Sequence, residues 1–170
     1  MTDVTVATPS IVDAPRAVLD TSVLISEWRH RLWTLARNGF FEAVWSTFIV
    51  AELVRVRMQL SIRRNTEASI YRAAINNLVH RLSDVLIVAP YRNILLSDVL
   101  PDVDDEPILA AALAVRASFI VSLDAKHFPT GSNVLGVRFL HPEDFLALLA
   151  DLYPNDDVPR LGADAGKQLP

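Results

Sequence analysis

The sequence predicts an α/β fold in three layers, a mainly parallel central sheet with helices on both faces. Short apolar runs of strand length alternate along the chain with stretches whose apolar residues recur every three or four positions. The strand runs are nearly continuous in apolar residues, as expected where both sheet faces are covered. Two of them end directly in an aspartate, at Asp20 and Asp124, where a strand hands over to the following loop or helix.

The elements follow in order. Ala17-Val18-Leu19 reads as a buried strand, and Asp20-Thr21-Ser22 as the turn that caps a helix over residues 23–37, closed by Asn38-Gly39. Ala43-Val44-Trp45 is a second strand, after which Ser46 or Thr47 caps a helix carrying Ile49, Leu53, Val56 and Leu60 on one stripe. A further amphipathic helix is expected over residues 66–82 and a strand over 85–88. Beyond a polar, proline-bearing stretch come an Ala-rich helix over 108–115, a buried strand over 118–122 and a last strand over 137–140. His141-Pro142-Glu143-Asp144 places proline and acids where a closing helix over 142–151 should start. Residues 1–15 and 153–170 lack a period and read as tails, leaving one domain over 16–152.

Composition narrows the function. No apolar run approaches the roughly 18 residues a membrane span needs, and no basic segment precedes an apolar one at the N-terminus. There is no cysteine, which excludes disulfides and thiolate metal sites. A cytoplasmic location and no membrane partner are the expectation. The net charge of −4 argues against coating nucleic acid by bulk charge, but leaves room for a local contact. Lys126 and Lys167 are the only lysines among 16 basic residues, and Arg55, Arg57, Arg63, Arg64 and Arg72 fall within one short stretch. These arginines form either a phosphate-binding patch or a solvated helix face.

The acids carry the chemistry. In open parallel sheets, ligands sit outside the carboxyl ends of the strands, where Asp20 and Asp124 stand. Each alone could be a helix cap; both together point to one sheet edge. Glu52 lies close to the apolar stripe of its helix, where an acid is unusual without a partner. Asp102, Asp104, Asp105 and Glu106 crowd the start of the Ala-rich helix, where negative charge is also favoured for capping alone. Carboxylates gathered in one small volume repel unless a cation lies between them, and hard oxygen donors select Mg²⁺ or Mn²⁺. His30, His80, His127 and His141 show no metal-ligand spacing, and no Gly-rich phosphate loop is present. A phosphatase of the doubly wound type would need a second aspartate two residues after Asp20, where Ser22 stands.

These residues resemble the PIN domain family. Val18-Leu19-Asp20-Thr21-Ser22-Val23-Leu24-Ile25 is similar to its opening motif, and Ser46-Thr47-Phe48-Ile49-Val50-Ala51-Glu52-Leu53 to its acidic helix. Asp102-Val103-Asp104-Asp105-Glu106-Pro107-Ile108-Leu109 resembles the third motif, and Ser118-Phe119-Ile120-Val121-Ser122-Leu123-Asp124 the fourth. The acids follow at separations of 32, 53 and 19 residues, and the likeness spans about residues 16–148. It implies a metal-dependent endoribonuclease with Asp20, Glu52, Asp105 and Asp124 as catalytic, metal-binding acids. Thr21, Ser22, Asp104 and Ser122 would support them, and Arg55, Arg57, Arg63 and Arg64 would hold the RNA. Asp105 is chosen over Asp104 for its spacing to the Ala-rich helix. Many relatives carry a further acid after Asp124; here Ala125-Lys126-His127 follows. The bacterial toxins of toxin-antitoxin pairs are the nearest subgroup, which implies Mg²⁺ or Mn²⁺, an RNA substrate, a small antitoxin protein and a homodimer or higher oligomer. The alternative is a non-catalytic module of the same fold that binds RNA or protein.

Overall fold

The structure is a computed structural model that describes residues 14–65, 67–83 and 86–154. The expected N-terminal tail, except Ala14 and Pro15, lies outside the described residues. So do the expected C-terminal tail beyond Pro154 and the predicted strand residue Val85.

Six strands form one sheet: β1 (Arg16–Leu19), β2 (Glu42–Trp45), β3 (Leu86–Val88), β4 (Phe119–Val121), β5 (Asn133–Val134) and β6 (Val137–Leu140). Their order is β3-β2-β1-β4-β6-β5. Every pairing is parallel except that of β5 with β6. Successive strand residues point to opposite faces, and Ala17, Val18 and Leu19 are all buried, as are Phe119, Ile120 and Val121. Both faces are therefore covered, as the sequence predicts for a parallel sheet. The chain leaves β1 towards β2 and β3, then returns to the other side of β1 as β4. The gap between the ends of β1 and β4 is thus the topological switch point, where this class of sheet opens a crevice.

The helices are α1 (Thr21–Ile25), α2 (Trp28–Arg37), α3 (Thr47–Arg63), α4 (Ala68–Ser83), α5 (Glu106–Ala114) and α6 (Pro142–Leu152). The single helix expected over 23–37 is instead two. Ser26 breaks it: its hydroxyl donates to the Val23 carbonyl at 2.7 Å and accepts the Trp28 N–H at 3.2 Å, substituting for the backbone ladder. The short strand β5 was not expected. It forms through a two-residue turn, Leu135-Gly136, with φ of 52° and 88°, the paired left-handed geometry that joins antiparallel strands tightly. The closing helix α6 seats Phe145 edge-on against Phe41, with ring centroids 5.0 Å apart. This fixes α6 to the core beside the end of β6.

Candidate active site

Strand register builds the centre of the site. Leu19 pairs with Val121, and the Asp20 N–H donates to the Val121 carbonyl at 3.1 Å, so Asp20 and Ser122 leave the sheet side by side. Asp20 is only 5% exposed. Its Oδ1 accepts the Thr21 N–H at 2.7 Å. Its Oδ2 accepts hydroxyls from Ser22 at 2.6 Å and Ser122 at 2.8 Å. The two serines also anchor the other strand end: Ser22 Oγ accepts the Leu123 N–H at 3.0 Å, and Ser122 Oγ accepts the Asp124 N–H at 2.9 Å. Both hydroxyls act as orienting groups, holding one carboxylate and one loop in a single network.

Glu52 reaches the same edge from α3, whose N-terminus Ser46 caps by accepting the Ile49 N–H. Glu52 Oε2 accepts the Thr21 hydroxyl at 2.7 Å, and its other oxygen lies 3.5 Å from the Arg55 guanidinium. Asp124 turns one oxygen back on its own loop, accepting the Lys126 and His127 N–H groups at 3.0 and 3.2 Å. That turn carries the His127 ring over the carboxylates.

The acids before α5 divide their tasks. Asp102 caps the turn by accepting the Asp104 N–H at 3.0 Å. Asp104 is exposed. Glu106 is buried and accepts the Val99 and Leu100 N–H groups, pinning the preceding loop onto α5. Asp105 makes no cap hydrogen bond, although it occupies the N-cap position. Its Oδ2 is buried and without a hydrogen bond. Its carboxyl is pushed up to about 6, chiefly by burial; the charge of His127 opposes this, and those of Asp102, Asp20 and Glu52 add to it. The fields of Asp20 and Glu52 thus reach Asp105, which links three acids from three separate elements.

A buried carboxylate oxygen that makes no hydrogen bond, beside further hard oxygen donors, fits a divalent cation. Asp105 and Asp102 could hold one together with His127, since one donor atom from each lies within 4.8 Å of the others. No regular His spacing marks His127 in the sequence. The signal was its position three residues after Asp124, which the Asp124 turn converts into proximity.

The arginines do not form one patch. Arg55 pairs with Glu52 beside the acids. Arg57 and Arg64, seven residues apart and so on one helix stripe, line a groove of about 470 Å³ between α2, α3 and α4 together with Arg29, Trp33 and Tyr71. Arg63 is exposed at the end of α3. No carboxylate of the site lines that groove.

Fold and site define an α/β protein with an acidic centre at the switch point of a parallel sheet. Residues 16–126 match the PIN domain family, and the chain belongs to it. A stretch of 50 residues is 44% identical to the Mycobacterium tuberculosis protein named "Putative ribonuclease VapC50". That stretch covers 29% of this chain and 30% of the relative, so the match spans less than a third of the relative's length. Among solved structures, the chain is similar to the crystal structure of VapBC2 from Rickettsia felis bound to a DNA fragment from their promoter. The identity is 13% and the TM-score 0.46, with 74% of this chain and 98% of that chain covered.

Proposed function

We propose that this chain is a metal-dependent endoribonuclease with Asp20, Glu52, Asp105 and Asp124 as its working acids. The observation that carries the reading is the buried Asp105 oxygen, which no hydrogen bond satisfies, in a carboxyl raised by burial and by the neighbouring charges of Asp102, Asp20 and Glu52. Such repulsion raises the free energy of the metal-free protein and is relieved by a cation. Family membership and the name of the M. tuberculosis relative point the same way. The domain runs from Arg16 through α6, since α6 buries Phe145, Leu146 and Leu149 in the core.

Mg²⁺ or Mn²⁺, bound by these acids, supplies Lewis acidity towards a phosphodiester. The protein's part is orientation. Ser22 and Ser122 hold Asp20 by its Oδ2, and Thr21 holds Glu52, so neither carboxylate has to reorganise as charge develops. Asp124 keeps one oxygen in its own loop and leaves the other for the site. Arg55, exposed and 3.5 Å from Glu52, takes the role of backbone phosphate contact. The toxin reading adds a small antitoxin protein as partner; it rests on the motifs and is tested by co-expressing the chain with the product of the neighbouring gene and purifying them together.

A mixed RNA pool incubated with the pure protein tests the reaction. Cleavage in millimolar Mn²⁺ that stops in EDTA, leaving 5′-phosphate and 3′-hydroxyl ends, is the expected result. Cleavage that persists in EDTA, or that Asp105→Asn leaves untouched, would show the assignment to be wrong.

A further inference from the structure

His127 stands where three carboxylates converge. Its Nδ1 lies 2.9 Å from Asp105 Oδ2, 3.5 Å from Asp124 Oδ2 and 3.7 Å from Asp102 Oδ2. The acids come from two separate segments: Asp102 and Asp105 from the turn into α5, Asp124 from the loop after β4. At 2.9 Å an aligned N–H would hydrogen-bond to Asp105 Oδ2, yet that oxygen has no hydrogen bond. Two adjacent ligands of one ion have this relation, because their lone pairs converge on the ion and not on each other. Nitrogen and oxygen ligands at about 2.0–2.2 Å from a cation lie about 2.8–3.6 Å from one another; the contact to Asp105, at 2.9 Å, falls in that range, and that to Asp102, at 3.7 Å, lies just beyond it. The ring is held in place from the backbone side, since the His127 N–H donates to Asp124 Oδ1.

We propose that His127 is a nitrogen ligand of the cation held by these acids, joining Asp102 and Asp105, and that it moves the site's preference from Mg²⁺ towards Zn²⁺ and Mn²⁺. The proposal rests on the metal-site reading above and adds to it the ligand and the ion. Carboxylates alone suit hard Mg²⁺; an imidazole in the set favours borderline cations, whose affinity for nitrogen is higher.

Calorimetric titration of Zn²⁺ and, separately, Mg²⁺ into the full chain tests this, with His127→Ala and His127→Asp beside the parent. His127→Ala should weaken Zn²⁺ binding at least tenfold and Mg²⁺ binding less than threefold, and His127→Asp should restore Mg²⁺ in preference to Zn²⁺. Nitrogen NMR of the unsubstituted protein gives a reading independent of variant folding: saturating Zn²⁺ should shift His127 Nδ1 far more than Nε2. No shift at that nitrogen, equal losses for both ions, or tighter binding of both by His127→Ala would overturn the proposal and leave a carboxylate site standing. Failure of the parent to bind either ion would instead remove the metal-site reading itself.

Discussion

Asp104 and Asp105 are neighbours in the chain with different physical surroundings. Asp104 faces water, whereas Asp105 is half-buried against His127, with its carboxyl raised to about 6, chiefly by burial. An acid whose folded value lies above its ordinary 3.8 is protonated in both states below about pH 4 and charged in both above about pH 6. The folded state therefore loses stability as pH rises between those values and carries the full cost of the buried charge above them. In EDTA, Asp105→Asn should melt with the parent at pH 4 and above it at pH 7; a lower melting point at pH 7 would contradict the account. Asp104→Asn should show neither effect and should cut RNA nearly as the parent does. Thr21→Val removes the hydroxyl that holds Glu52 and should weaken metal binding by about tenfold, the usual scale for groups that orient a ligand. The side chains of this network were legible as residue types, because Asp20, Ser22 and Asp124 end or follow strands. His127 was not, because its approach depends on a local turn and not on a spacing.

At the scale of elements, strands and helices followed from apolar period and caps wherever the run was long. The sequence read β1, β2, β4, β6 and α6 within a residue or two, since each is bounded by a turn or a cap. It merged α1 with α2, because the apolar period continues across Ser26 and only the serine's bonds to Val23 and Trp28 interrupt it. It missed β5, whose two residues are too short to carry a period. Glu106 looked like one more acid among four, yet it is a structural one, holding the Val99 and Leu100 N–H groups. Glu106→Ala leaves the buried Leu100 N–H and the half-buried Val99 N–H unpaired and should cost about 2–3 kcal/mol in urea unfolding. It should also loosen the turn that presents Asp105. Leu109, fully buried on α5, gives the comparison: Leu109→Ala should cost about 2–5 kcal/mol through its cavity, with less effect on metal affinity than Glu106→Ala.

At the scale of the molecule, strand order sets the site: β1 and β4 lie side by side, so Asp20 and Ser122, 102 residues apart in the chain, share a hydrogen bond. Apolar runs ending in Asp20 and Asp124 place both acids at one sheet edge, but they carry no strand order, so the adjacency of β1 and β4 is legible only in the structure. The sequence also could not show that the arginines of α3 divide between the acids and a separate groove, because helix phase disperses residues that are close in sequence. A cation that binds only the folded state should stabilise it by about 2.7 kcal/mol at a concentration 100 times its Kd, visible as a rise in melting temperature that Asp105→Asn abolishes. On the proposed function, Asp20 at the end of β1, Glu52 of α3, Asp105 at the N-cap of α5 and Asp124 in the loop after β4 act as one catalytic unit on RNA. Comparing cleavage rates of a labelled RNA by Asp20→Asn, Asp124→Asn and the double variant, each checked for folding by circular dichroism, tests this most directly. If the acids work as one unit, each single substitution should remove most of the activity and the double should be scarcely slower than either single. Losses that multiply in the double variant, or parent-like rates in both singles, would contradict it.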